Sequence, residues 1–192
     1  MIIGIIDCGG ANLNSIYFSF KRLGINTVIS NSKDELSGLD AYVLPGVGSA
    51  NAVMQCLRDK SLIDFIKNIT KPVLGICIGM QIMYEYSEEG DTQCLGIIDG
   101  RIKKFKSEKN LTVPQMGWNK LVCNDDLKSL NGHYYYANSF YTDSTDSAMG
   151  YTEYGVNYTS LVKKNNFIGC QFHPEKSSVN GEKFLQYFLT TA

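Results

Sequence analysis

At 192 residues the chain has the length of one full-sized domain, taken as residues 1–192. Its 44% hydrophobic and 19% charged residues are those of an ordinary globular protein, which excludes collagen, coiled coil and disordered tail. With 18 basic and 19 acidic side chains the formal net charge is −1, and without a block of like charges nothing marks a nucleic acid as partner.

No apolar run reaches the ~18 residues of a membrane-spanning helix; Pro72 to Met83 is the best stretch and carries Gln81. The N-terminal Met-Ile-Ile-Gly-Ile-Ile-Asp has no basic region ahead of its apolar run, so no signal peptide is expected and the cytoplasm is the expected location. Six scattered cysteines with no C-x-x-C pair suggest neither a disulfide framework nor a metal site.

Ile2 to Ile6 is an apolar, β-branched run followed by the Gly9-Gly10 turn and a helical pattern through Leu13, Ile16, Tyr17, Phe20 and Leu23. Gly24 stops that helix, Thr27 to Ser30 predicts a second strand, and Ala41 to Leu44 a third ending at Pro45-Gly46-Val47-Gly48. Helical patterns over Ala50 to Leu57 and Leu62 to Ile69 precede a fourth strand, Pro72 to Cys77, which runs into a helix expected over Met80 to Tyr84. Beyond residue 95 the pieces are strand-like: Gly100 to Phe105, Lys120 to Cys123, Tyr134 to Tyr141, Tyr158 to Lys163 and, across a hairpin turn, Phe167 to Phe172. An amphipathic helix over Gly181 to Leu189 closes the chain. The reading is an α/β fold: an open, mostly parallel sheet flanked by helices, with an antiparallel β extension.

Gly75-Ile-Cys77-Ile-Gly79 has the small-x-nucleophile-x-small form of a nucleophile elbow, with a β-branched strand before it and a helix after it. Glycines on both sides make room for the sharp turn, and the positive end of the helix dipole favours the thiolate. Only His133 and His173 can serve as base. His133 follows the Asn131-Gly132 turn signal and reads as a solvated loop residue. His173 ends a strand and is followed by Pro174-Glu175, which predicts extended backbone with the carboxylate two residues on, facing the imidazole. Gly9-Gly10 lacks G-x-G-x-x-G and is no phosphate cradle, while Arg101, Lys103, Lys104 and Lys106 read as the solvated face of an edge strand.

Gly75-Ile-Cys-Ile-Gly-Met-Gln81 and Gln171-Phe-His-Pro-Glu-Lys-Ser177 resemble the two signatures of the class I, triad-type glutamine amidotransferases, whose flavodoxin-like fold agrees with the sheet inferred above. With Pro45-Gly-Val-Gly48, similar to the family's oxyanion strand, and Pro114-Gln-Met-Gly-Trp-Asn119, the chain looks like the glutaminase subunits of imidazole glycerol phosphate synthases. The resemblance implies that L-glutamine is hydrolysed to glutamate and ammonia without a cofactor. The ammonia passes to a (βα)₈ synthase subunit in a heterodimer. It makes Cys77 the nucleophile, His173 the base and Glu175 its orienter, with Val47 and Ile78 as oxyanion donors. Gly46, Gln81, Asn138 and Ser139 then hold the substrate, and Asn12, Trp118 and Lys176 meet the partner. Asn138 and Gln115 replace residues usual in the family, leaving two acceptors open: the histidine pathway, or amidino groups on bacterial surface sugars. A noncatalytic binding protein on the same scaffold is the reading from another class.

Overall fold

The computed structural model describes residues 1–9, 12–46, 48–106, 111–143 and 145–191. The first half alternates strand and helix: β1 (Ile2–Ile6), α1 (Leu13–Arg22), β2 (Asn26–Ser30), α2 (Lys33–Leu36), β3 (Ala41–Leu44), α3 (Ala50–Asp59), α4 (Ile63–Lys67), β4 (Val73–Ile76) and α5 (Ile78–Gln81). The second half is mostly strand: β5 (Tyr84–Ser87), β6 (Thr92–Gln93), β7 (Ile98–Lys104), β8 (Gln115–Cys123), β9 (Gly132–Asn138), β10 (Phe140–Tyr141), β11 (Ala148–Tyr154), β12 (Val156–Lys164) and β13 (Phe167–Cys170), closed by α6 (Ser178–Thr190).

Among the described residues the main sheet runs β2-β1-β3-β4-β13-β12-β11-β8-β9. Its first five strands are parallel; the other four continue antiparallel. The last strand in sequence, β13, therefore lies mid-sheet beside β4, with Cys170 in register with Ile76. That placement brings Cys77 and His173, 96 positions apart in sequence (173 minus 77), to one carboxyl edge of the sheet, where open α/β folds bind their ligands.

β3, β4 and β13 are buried throughout, which explains why their sequences read as unbroken apolar runs. Helices supply the cover. α1 buries Ile16 and Phe20, and Phe20 meets Phe188 of α6 edge to face at 6.5 Å, so these two helices share a layer. α3 turns Val53, Met54 and Leu57 inward. No helix among the described residues is long and apolar enough to cross a membrane.

The structure departs from the sequence expectations in several elements. The helix after Cys77 ends at Gln81, because Tyr84 to Ser87 is recruited as β5 into a second sheet, ordered β10-β7-β5-β6. In that sheet β7 is paired on both sides, so Arg101, Lys103 and Lys104 are not on an edge strand; Lys103 instead pairs with Asp143. β11 was not expected at all: its burial alternates, but the inward positions are the small or polar Ala148, Gly150 and Thr152 while Met149 and Tyr151 turn outward, so no apolar stripe marks it, and its pairing with β12 shifts register around Gly150. His133 lies within β9 rather than in a loop, although it is exposed as expected.

Candidate active site

Cys77 is where a strand becomes a helix. Its N–H still bonds the carbonyl of Cys170 across the sheet, at 2.8 Å, while its own carbonyl already accepts the N–H of Gln81, at 3.1 Å. Serving both ends forces φ to 55° and ψ to −111°. For a residue with a side chain such a conformation costs about 1–3 kcal/mol. The surroundings hold it there because three glycines let the backbones interlock. A Cβ on Gly79 would stand 1.8 Å from the carbonyl oxygen of Leu44, and one on Gly46 2.4 Å from Cβ of Ile78. On Gly75 it would meet the Gly79 carbonyl oxygen at 2.8 Å. The obstacle at Gly79 is backbone, so Gly79→Ala is expected to destabilise the fold by about 3 kcal/mol or more, read as a lower urea midpoint. A midpoint within error of the parent's would show that the interlock yields.

α5 has only the four residues Ile78–Gln81, so the helix dipole expected at the sulfur is that of a single turn. Ile78 is its first residue, and its N–H has no carbonyl one turn back to bond within the helix.

His173 is fixed through its backbone. Its N–H donates to Tyr135 of β9 at 2.8 Å, and the Ser177 hydroxyl donates to its carbonyl at 2.6 Å while accepting the Tyr135 N–H at 2.9 Å. Behind it, the Phe172 ring packs on Tyr134 at 4.2 Å and edge to face on Phe184 at 5.0 Å. His173 is extended as predicted, but Pro174–Lys176 forms a 3₁₀ turn. Glu175 thus returns to the imidazole around a turn, not along an extended chain, and its Oε1 lies 2.9 Å from Nδ1. The same oxygen accepts the side-chain amide of Asn12 at 2.8 Å. With Nδ1 occupied by Glu175, Nε2 is left for the sulfur.

Burial of the His173 ring disfavours its charge, but the hydrogen-bonded Cys77 sulfur and then the Glu175 carboxylate outweigh it, raising its pKa to about 10. The imidazole is therefore charged at neutral pH. Removing the sulfur removes the first of those opposing effects. In ring NMR titrations, His173 is expected to keep its proton through pH 8 in the parent and to lose it at lower pH in Cys77→Ala; coincident curves would rule out a Cys77–His173 pair.

Cys77 and His173 open onto a cleft of about 530 Å³ that Gln81, Glu89, Asn138 and Ser139 also line. Gln81 is 2% exposed, and its amide N–H₂ donates to Gln171 Oε1 at 2.9 Å and to the Phe140 carbonyl at 3.3 Å. Asn138 donates to that same carbonyl at 3.0 Å, and the Ser139 carbonyl is held by the Phe105 N–H at 2.9 Å. Gln115 lies behind this wall, bonded to the Tyr158 hydroxyl at 2.8 Å. Gly46 and Gly48 line the cleft, Gly48 with φ +99°; Val47 lies outside the described residues. Lys176 stands at the cleft with its ammonium 5.8 Å from the Tyr135 ring, and Tyr135 meets the exposed Trp118 edge to face at 6.3 Å. Asn12 also lines the cleft, but its amide is committed to Glu175.

Sequence reasoning did not find Glu89. Its carboxylate accepts the Ala50 N–H at the start of α3, at 2.7 Å, and burial, offset by that bond, raises its pKa. No local motif announces it, because the loop that carries it reaches the cleft only through the second sheet. A thiol, a charged imidazole, an orienting carboxylate and a cleft lined by amides and a further carboxylate form a site for acyl transfer from a small polar amide.

The chain belongs to the glutamine amidotransferase class-I family, whose model matches residues 4–192. It is 43% identical over 192 residues to the imidazole glycerol phosphate synthase subunit HisH of Haemophilus influenzae, covering 97% of this chain and 96% of that one. To the imidazole glycerol phosphate synthase subunit HisH 2 of Campylobacter jejuni strain RM1221 it is 43% identical over 191 residues, 98% of each. Among solved structures, one described as a glutamine amidotransferase superposes with a TM-score of 0.78 at 18% identity, over 100% of this chain and 98% of that one. PurLQS from Thermotoga maritima gives 0.73 at 18%, over 98% and 97%. At these identities the structures attest the fold.

Proposed function

We propose that this chain hydrolyses L-glutamine to L-glutamate and ammonia and delivers the ammonia to a (βα)₈ synthase subunit in the cytoplasm. The observation that carries the reading is the seated series Cys77, His173 and Glu175 at the mouth of a cleft large enough for an amino acid. The Cys77 thiolate attacks the side-chain carbonyl carbon of glutamine, and the oxyanion turns toward the Ile78 N–H, with Val47 as second donor. His173 gives its proton to the departing nitrogen, releasing ammonia and leaving a glutamyl thioester. A water then attacks the thioester, His173 takes its proton, and glutamate leaves with the sulfur restored. Glu175 holds the imidazole in the tautomer and orientation both halves require. The α-ammonium of glutamine faces Glu89 and the Gln81 oxygen, whose amide nitrogen is already engaged.

The full-length likeness to imidazole glycerol phosphate synthase subunits supports the histidine-pathway acceptor over the amidino-sugar one. Trp118, 55% exposed, and Lys176 form the docking surface in this reading, and Asn12 joins it to Glu175. Glutamate release is measured for the chain alone and with the (βα)₈ synthase that co-purifies with it, the synthase's ligand bound. The expected outcome is turnover that rises ~10²–10³-fold on binding, the value of one oxyanion donor brought into place. No glutamate in either state would overturn the glutaminase reading, and a full rate in isolation would overturn the gating.

A further inference from the structure

Besides His173, the sulfur of Cys77 has two polar neighbours: the Ala137 carbonyl, an acceptor at 3.9 Å, and, nearer, the side chain of Gln171. The amide nitrogen of Gln171 donates to it at 3.6 Å, from a side chain only 1% exposed. An amide can present either its N–H₂ or its oxygen to a sulfur, with opposite consequences: the donor favours the thiolate, the oxygen disfavours it. The orientation is decided elsewhere in the network. The Phe140 carbonyl can only accept, so Gln81 must turn its N–H₂ toward it. The same N–H₂ is 2.9 Å from Gln171, which must therefore answer with its oxygen. Nothing but N–H₂ is then left to face Cys77. A main-chain carbonyl in the wall of the cleft thus sets the polarity of a hydrogen bond to the sulfur, through two buried amides.

We propose that Gln171 is a positioning residue for the nucleophile, held by Gln81 and the Phe140 carbonyl so that its amide N–H₂ stabilises the Cys77 thiolate. The proposal deepens the reading of Cys77 as nucleophile and rests on it. It assigns activation of the sulfur to a side-chain donor as well as to the one-turn helix α5. It also gives Gln81 a task besides contacting substrate. Asn138 shares the Phe140 carbonyl, so the cleft wall and the nucleophile belong to one network.

The test uses the full-length chain, following alkylation of Cys77 by iodoacetamide through peptide mass spectrometry across pH 5–10, with glutamine turnover measured on the complex with the synthase. Gln171→Met keeps length and burial but removes the donor. Its expected result is alkylation about tenfold slower at pH 7, recovering to the parent rate at alkaline pH, with kcat reduced and KM little changed. Gln171→Glu, which puts an acceptor-only carboxylate in the same place, is expected to be slower still. Should Gln171→Met fold poorly, Gln81→Met leaves Gln171 present but its amide unoriented, and the same alkaline recovery is expected. Unchanged pH profiles in the folded variants would overturn the proposal and leave the nucleophile reading intact. If Cys77→Ala still turned over glutamine, the nucleophile reading itself would fail.

Discussion

Cys77→Ala is expected to lower glutamine hydrolysis by about 10⁴-fold or more, because among the described residues lining the cleft no other carries a thiol that could form the thioester. Ammonia-dependent synthesis by the partner should be unaffected. The contrast is measurable in one preparation of the complex, with glutamine and then an ammonium salt as nitrogen source. Alanine is smaller than cysteine and sits in the same strained turn, so the elbow persists and the loss is one of chemistry. A glutamine analogue bearing an electrophile should label Cys77 ahead of the other five thiols, of which Cys8 and Cys170 are buried and held protonated mainly by that burial. Substantial residual hydrolysis, or equal labelling of all six, would remove Cys77 from the role.

Glu175→Gln tests the orienting group with the least disturbance of shape. In the parent, Oε1 accepts from both His173 and Asn12, while Oε2 is buried without a hydrogen-bond partner among the described residues. A glutamine can keep its oxygen on the first two and place its nitrogen where Oε2 was, so the fold need not change. What disappears is the negative charge that supports the imidazolium and fixes its tautomer. The expected fall in kcat is about 10²–10⁴-fold with KM nearly constant. His133→Asn, exposed on β9 and remote from the cleft, should leave turnover unchanged. Normal kcat in a folded Glu175→Gln protein would make that carboxylate structural, and an inactive His133→Asn would point to the other histidine.

The parallel half of the fold was legible because strands buried on both faces leave a signal that needs no partner: β1, β3, β4 and β13 are continuous apolar runs in any context. β5, β6 and β11 were not, since a short or bulged strand is created by what it pairs with, and Tyr84 to Ser87 looks like the tail of a helix until β7 is set beside it. The site divides in the same way. Cys77 and His173 carry their surroundings in adjacent residues, glycines in one case and Pro174-Glu175 in the other. Glu89 acts from a loop with no pattern of its own. The contact of Asn12 with Glu175 joins residues 163 positions apart, a closure that no local periodicity encodes. Gln171 was visible as part of a motif, but its bond to the sulfur depends on two amide orientations that only the folded network sets.

The histidine is attached to the outermost strand of the sheet. Through the Tyr135 carbonyl and the Ser177 hydroxyl, the main chain of His173 hangs from β9, which among the described residues has a strand neighbour on one side only. Edge strands open most readily, so the imidazole's seat is as durable as that edge. Fraying of β9 takes the His173 N–H with it, making amide exchange at this one position a gauge of how often the site comes apart. In the proposed complex, a subunit docked along Tyr135 and Trp118 would clamp the same strand, and the expected readout is slower exchange of the His173 amide proton.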